Sequence, residues 1–328
     1  MRLLVTGGAG FIGSTYVRGL LADPDGATVT VLDSLTFCGN LSNLEPVMGD
    51  PRLTFVEADI CDGAVLQDLL PGHDAIVHFA AESQVDRSIA DPAPFVRTNV
   101  VGTQTLLDKA VEHRIGRFLQ VSTDEVYGSI AHGSWTEESP MRPNSPYAAS
   151  KAAAELLAQA YHRTYGLDVV VTRCSNNYGP YQFPDKIIPL FLACLFEGRE
   201  VSLYGDGEHA RDWLHVDDHC AALHLVLTKG RPGEVYNIGG GTELTNNELT
   251  GLLLEAGGAG WDRVRRVRDR KGHDRRYSMN IDKISTELGY TPRIPFSSGL
   301  ADTVAWYRAN GHWWRPLMER AALPIPVT

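Results

Sequence analysis

A short apolar strand breaks directly into a glycine turn at the start of the chain: Leu3-Leu4-Val5-Thr6 is followed at once by Gly7-Gly8-Ala9-Gly10-Phe11-Ile12-Gly13. Gly8, Gly10 and Gly13 fit the G-x-G-x-x-G spacing, and Gly7 adds the G-x-x-G-x-x-G variant. Glycines there permit a tight turn, let the backbone approach a pyrophosphate, and let the next helix pack close against its strand. That helix carries Phe11, Ile12, Val17, Leu20 and Leu21. Asp33 stands 20 residues past Gly13, at the end of the second strand. An acid in that place binds a ribose 2′-hydroxyl and repels a 2′-phosphate, so the pattern predicts an NAD site rather than an NADP site.

Hydrophobic period extends the same plan. Predicted strands at residues 3–6, 28–32, 53–56, 75–79, 118–122 and 169–172 alternate with amphipathic stretches, notably from about 94 to 113 and from 147 to about 165. Strand and helix in alternation predict an α/β chain with a Rossmann-type doubly wound parallel sheet over residues 1–174. Beyond Cys174 Gly and Pro become frequent and strands shorten, as at Val201–Tyr204 and Val235–Ile238. Residues 175–328 are therefore expected to form a smaller C-terminal region for substrate, with some segments completing the sheet. Ligands of such sheets bind beyond the carboxyl ends of the strands, which marks Asp59-Ile60 for the adenine and Phe79-Ala80-Ala81 for the cofactor.

Composition removes several classes. The chain has 328 residues, 43% of them hydrophobic, enough for a real core. It has neither an apolar run long enough to span a membrane nor a signal-peptide pattern, so a cytoplasmic protein without a membrane partner is expected. Its 5 cysteines are scattered without a C-x-x-C pair, which predicts core thiols and no metal site. A net charge of -10 argues against nucleic acid. One basic run stands out, with 8 Lys or Arg between Arg263 and Arg276, and a diphosphate or a solvated face accounts for it better than a nucleic acid does.

Tyr147-Ala148-Ala149-Ser150-Lys151 opens a helix just after Pro146. At this spacing Tyr147 and Lys151 share a face, and the ammonium is expected to lower the phenol's pKa so that it can take a proton from a hydroxyl as hydride leaves the same carbon.

With the strand-end Thr123, these motifs resemble the extended short-chain dehydrogenase/reductase superfamily over essentially the whole chain. Within it the resemblance is to the dTDP-glucose 4,6-dehydratases. It is carried by Thr123-Asp124-Glu125-Val126-Tyr127-Gly128, Ala80-Ala81-Glu82-Ser83, Val85-Asp86-Arg87-Ser88, Arg173-Cys174-Ser175-Asn176-Asn177-Tyr178-Gly179-Pro180, Tyr204-Gly205-Asp206-Gly207, Arg211-Asp212-Trp213 and Gly272-His273-Asp274-Arg275-Arg276-Tyr277. Similar epimerases generally lack the Asp-Glu pair, and similar decarboxylases and GDP-mannose dehydratases tend to carry Ser-Glu. The resemblance implies NAD-dependent oxidation at C4 of a nucleotide-linked glucose, loss of water across C5 and C6, and return of the same hydride to C6. A UDP-glucose relative, a 4-epimerase and a non-catalytic NAD-binding regulator are the alternatives.

The doublet has a chemical reason. Once C4 is a ketone, the C5 proton is acidic, and a carboxylate can take it while a neutral carboxyl protonates the departing C6 hydroxyl. Two adjacent carboxyls repel, which raises one pKa. By resemblance Asp124 is the acid and Glu125 the base, with Thr123, Tyr147 and Lys151 completing the catalytic set. Adjacent strand residues point to opposite faces, so the chain must leave β conformation at about Thr123 for both to reach one sugar.

The resemblance further assigns the cofactor to Gly7, Gly10, Phe11, Ile12, Gly13, Asp33, Ser34, Leu35, Thr36, Gly39, Asp59, Ile60, Phe79, Ala80, Ala81, Ser83, Thr98, Cys174 and Asn176, together with Tyr147 and Lys151. It assigns the nucleotide sugar to Ser83, Arg87, Asn177, Lys186, Arg211, Asn246, Arg270 and His273, beside Thr123, Asp124 and Glu125. It departs from the family at Ser34 and Phe37, where a lysine and a tyrosine are more frequent, and these drifts point to a member serving specialised deoxysugar or antibiotic synthesis. A homodimer built on the helices near 94 and 147 is the expected assembly.

Overall fold

The computed structural model describes residues 1–321. Residues 322–328 of the expected C-terminal region lie outside the described residues. In chain order the strands are β1 (Arg2–Thr6), β2 (Thr28–Asp33), β3 (Leu53–Glu57), β4 (Ala75–His78), β5 (Arg117–Thr123), β6 (Val169–Cys174), β7 (Asn176–Tyr178), β8 (Val201–Tyr204), β9 (Ala210–His215), β10 (Val235–Ile238), β11 (Glu243–Thr245) and β12 (Val264–Val267).

Seven of them form one parallel sheet in the order β10-β6-β5-β4-β1-β2-β3. The six strands expected of the N-terminal part are all present, and β10 from the C-terminal part adds a seventh outside β6. Alternate side chains feed two cores, as a strand's period of two requires. Leu3, Val5, Val29 and Val31 pack under helices Phe11–Ala22 and Val216–Lys229. Leu4, Leu32, Ile76 and Phe118 pack under Thr103–Glu112 and Pro146–Tyr165. A third core gathers the C-terminal region around Phe191, Trp213, Tyr307 and Trp314, beside the small sheets β11-β9-β7 and β12-β8.

The helix expected from about 94 to 113 differs in detail. Ala93–Phe95 and Thr103–Glu112 are α-helical, but Val96–Gly102 between them is a π-helix. The wider turn carries Thr98, which lines the cavity described below, and Asn99, which bonds to two neighbouring segments. Among the described residues no helix is long and apolar enough to cross a membrane, and all five cysteines are free.

Candidate active site

A cavity of about 640 Å³ opens beyond the carboxyl ends of β1, β2, β4, β5 and β6, with residues of the C-terminal region forming its far wall. That volume suits a cofactor and a substrate lying end to end better than a single small ligand.

Its first half is built on the glycine turn. Gly7 has φ +70°, and a Cβ there would stand 2.6 Å from the Ala80 nitrogen, so the turn and the end of β4 touch backbone to backbone. A Cβ on Gly13 would collide with the Gly7 carbonyl, which lets the helix start tight against β1. Helix Phe11–Ala22 begins at Gly10 without a side-chain cap, and Phe11, Ile12 and Gly13 face the cavity. Uncapped N–H groups at a helix's positive end are an anion cradle. Asp33 accepts from Ala9 N at 2.9 Å and from Leu35 N at 2.9 Å, and burial raises its pKa. The remaining lone pairs of such a doubly held carboxylate suit a ribose diol. This donor set fits a dinucleotide.

Ser34, Thr36, Gly39, Asp59 and Ile60 line the same half, followed by Phe79, Ala80, Ala81, Ser83 and Thr98. Cys174 and Asn176 stand at its deep end. Leu35 and Arg87, assigned by resemblance, are not in the wall. Leu35 adopts φ +49° and turns its side chain onto the core, while Arg87 lies over the Phe37 ring at 4.1 Å. Phe37 itself lines the cavity, so Arg87 stands one ring behind the wall.

The second half is built at the end of β5. Thr123 is still extended, at φ -142° and ψ 152°, and the next residues form the 3₁₀ turn Asp124–Tyr127, so the chain does leave β conformation where the doublet requires it. Tyr127 pins the turn from below: its hydroxyl donates to Asn237 Oδ1 at 2.8 Å and its ring stacks on Trp135 at 5.7 Å. Asp124 and Glu125 consequently both reach the cavity.

Their surroundings differ. Asp124 is buried, its Oδ2 has no partner, and burial followed by the neighbouring Glu125 charge pushes its pKa well up. Burial also raises Glu125, but Arg270, Lys186 and Arg211 act against it. Burial thus favours the neutral form of both carboxyls, most strongly that of Asp124, while three cations moderate the shift at Glu125.

Tyr147 and Lys151 sit in the first turns of helix Pro146–Tyr165, which Ser145 caps by accepting from Ala148 N at 3.1 Å. Ser88 Oγ accepts from Tyr147 N at 3.1 Å and fixes the ring's base. Sequence spacing predicts that Lys151 lowers the phenol's pKa, and the structure differs. Lys151 Nζ donates to the Val121 carbonyl oxygen at 2.7 Å, and burial brings its own pKa down to about 8. Burial first, then Glu125 and Cys174, raise the Tyr147 phenol, and the Thr123 hydroxyl works in the opposite direction.

The far wall carries the polar residues expected for substrate. Arg270 Nε is buried without a partner, and Arg211 is buried with its guanidinium over Tyr277 at 4.3 Å. Lys186 donates to the Ser83 carbonyl oxygen at 3.2 Å, and Asn246 completes this side. His273 lines the cavity but is not a cation: burial and Arg270 bring it to about 3, while Asp269 accepts from its Nδ1 at 2.7 Å. Asn177 is also in the wall, yet its amide is engaged by the Ser175 carbonyl oxygen at 3.0 Å and His219 at 2.9 Å. The adjacent Asn176 keeps a buried Oδ1 without a partner.

Sequence reasoning missed Ser122, Gln182 and Asp185, each presenting a buried oxygen without a partner at the wall. Ser122 and Asp185 directly precede Thr123 and Lys186, and that adjacency was the available signal. Asn99 had none, because it acts through contacts distant in sequence.

The family model described as GDP-mannose 4,6 dehydratase matches residues 4–303. A dTDP-glucose 4,6-dehydratase of Streptomyces niveus is 61% identical over 321 residues, covering 97% of this chain and 96% of the relative. The chain belongs to the dTDP-glucose 4,6-dehydratase family. A solved member of that family, DesIV from Streptomyces venezuelae, described with NAD bound, shares 63% identity at a TM-score of 0.95, covering 97% of this chain and 100% of that one. A UDP-glucose 4-epimerase of Thermotoga maritima has the same fold at 34% identity and a TM-score of 0.87, covering 94% and 99%.

Proposed function

We propose that the chain converts dTDP-glucose to the 4-keto-6-deoxy sugar nucleotide with NAD as a cofactor that is regenerated in each cycle. The observation that carries this reading is the adjacent pair Asp124 and Glu125, the first with its pKa pushed well up by burial, the second faced by three cations, both at the wall that also holds Tyr147.

In this reading Tyr147, with the Thr123 hydroxyl supporting its phenolate, takes the proton of the C4 hydroxyl. Lys151 fixes the floor of the site through Val121. NAD, when bound, supplies a hydride acceptor at C4, a positive charge beside the phenol, and the hydride returned to C6. Glu125 takes the proton from C5, and Asp124 gives its proton to the C6 hydroxyl, which departs as water. Arg211 and Arg270 hold the diphosphate. Residues 1–174 thus serve the cofactor and the chemistry, and the later region serves mainly the nucleotide sugar.

The exposed apolar side chains of Val96 (51%), Val101 (48%), Leu156 (49%) and Tyr165 (59%) lie on the two helical segments expected to pair, and they favour a homodimer, which molar mass by light scattering checks. Five free cysteines accord with a reducing, cytoplasmic compartment.

The test supplies dTDP-glucose and UDP-glucose separately with NAD and follows product mass and the base-induced absorbance of a 4-keto sugar. Loss of one water without accumulating reduced cofactor, faster from dTDP-glucose, is expected. Faster reaction of UDP-glucose would move the nucleobase assignment, and unchanged mass with galactose formed would replace dehydration by epimerisation.

A further inference from the structure

Helix Gly311–Ala321 borders the cofactor half of the cavity, with Ala321 in its wall. Two of its side chains reach the segments that shape that half. Arg320 Nη2 donates to the carbonyl oxygens of Thr36 at 2.7 Å and Phe37 at 2.8 Å, with that of Gly39 at 3.4 Å. Trp313 Nε1 donates to Asn43 Oδ1 at 3.2 Å, and Asn43 Nδ2 donates in turn to the Ala9 carbonyl oxygen at 2.9 Å, inside the glycine turn. The Arg320 guanidinium also lies over the Phe183 ring at 5.7 Å, and Phe183 packs against Phe37 at 5.0 Å.

Residues 34–39 need such support. Ser34 and Thr36 are exposed, and Leu35 holds φ +49°, a conformation costly for a non-glycine residue. A Cβ on Gly39 would stand 2.9 Å from Asp33 Oδ1, so the loop is folded back onto the very carboxylate that faces the ribose. Three carbonyl oxygens converge on one point at the loop's outer side. Arg320 Nη2 alone faces all three, and its two N–H groups and share of the positive charge offset the converging carbonyl dipoles as a neutral apolar side chain cannot.

We propose that Arg320 is a positioning residue that holds residues 36–39 against the adenosine end of the NAD site, so that helix Gly311–Ala321 acts as a clasp keeping the cofactor in place from one turnover to the next. The inference rests on the NAD reading above and extends it, because a cofactor restored in every cycle has no need to leave. Trp313, through Asn43, ties the same helix to the Ala9 carbonyl oxygen of the glycine turn.

The experiment compares wild type with Arg320→Ala, Arg320→Lys and Trp313→Phe. It measures NAD retained after gel filtration, the rate of NAD loss into cofactor-free buffer, KM for NAD against kcat at saturating NAD, and Tm of the cofactor-free proteins. Arg320→Ala is expected to lose NAD about tenfold faster and to raise KM for NAD by a similar factor, with kcat at saturating NAD and cofactor-free Tm held at the wild-type values. Arg320→Lys should fall between them, since an ammonium can satisfy part of the carbonyl cluster. Retention by Arg320→Ala equal to wild type overturns the clasp, and so does a joint fall of saturated kcat and Tm, which marks a general structural role. A wild-type protein that retains no NAD and shows none bound at saturation removes the NAD reading itself, and the clasp with it.

Discussion

Asn99 Nδ2 donates to Ser150 Oγ at 2.8 Å and to the Glu82 carbonyl oxygen at 3.0 Å, joining the π turn to the helix of Tyr147 and Lys151 and to the loop after β4. Asn99 Oδ1 also accepts from Glu82 N at 2.8 Å, so one buried amide aligns the catalytic helix with the cofactor loop. Asn99→Leu leaves the Glu82 N–H and carbonyl oxygen without their partner, while Ser150 Oγ keeps its bond to the Tyr147 carbonyl oxygen at 2.7 Å. We expect a loss of about 2–4 kcal/mol in stability, read from the urea midpoint at unchanged m. Asn99→Asp should lose only part of this.

Asp124→Asn separates stability from activity. The folded chain binds the Asp124 proton more tightly than the unfolded chain, so between the ordinary 3.8 and the raised folded value wild-type stability falls as pH rises. Asparagine has no such dependence. The variant should therefore be more stable than wild type at pH 7–8, with the gain shrinking toward pH 4, as Tm across pH would show. Its dehydration should slow by about 10²–10⁴-fold while cofactor reduction in a single turnover persists. Dehydration at the wild-type rate would remove Asp124 as the acid.

Lys151 is charged below about 8 and neutral above it. Turnover at saturating substrate is expected to fall with an inflection near that pH, and the inflection should vanish in Lys151→Met. Stability runs the other way. Between about 8 and the ordinary 10.5 the unfolded chain binds more protons, so wild-type stability rises with pH across that window. Denaturation of both proteins from pH 7 to 10 tests the two slopes together.

Below the active site, Arg173 pairs with Glu155 at 3% and 0% side-chain exposure and donates to the Tyr127 hydroxyl at 2.6 Å. Removing one partner strands a buried charge. Arg173→Met should cost about 3–5 kcal/mol, and Glu155→Leu added to it should recover part of that loss, which a double-mutant cycle by urea unfolding measures.

What the sequence disclosed was local in the chain. Strands β1 to β6 were legible because a sheet covered on both faces demands nearly continuous apolar runs, whereas Asn176–Tyr178 is only 3 residues long and Ala210–His215 is interrupted by Arg211 and Asp212, so neither gave a strand signal. The glycine turn, the Tyr147/Lys151 spacing and the Asp124-Glu125 doublet are each contained within a few residues, and the cavity brings all three together. The π turn, the stacking of Arg87 on Phe37 and the engagement of Lys151 with Val121 come from neighbours distant in sequence, which no local period reveals. Burial likewise decided the neutral state of His273, a residue that sequence places in a basic run.

The seventh strand has a consequence for how the chain is made. β6 is buried along its whole length, yet its outer hydrogen-bonding edge is satisfied only by β10, which is translated after β7, β8 and β9. While the ribosome works through that interval, the nascent sheet presents Val169–Cys174 as an open, apolar edge that can pair with another chain. A fragment ended at residue 174 keeps that edge permanently, so it should gather into aggregates, and it becomes a self-sufficient folding unit only when a strand equivalent to Val235–Ile238 is supplied.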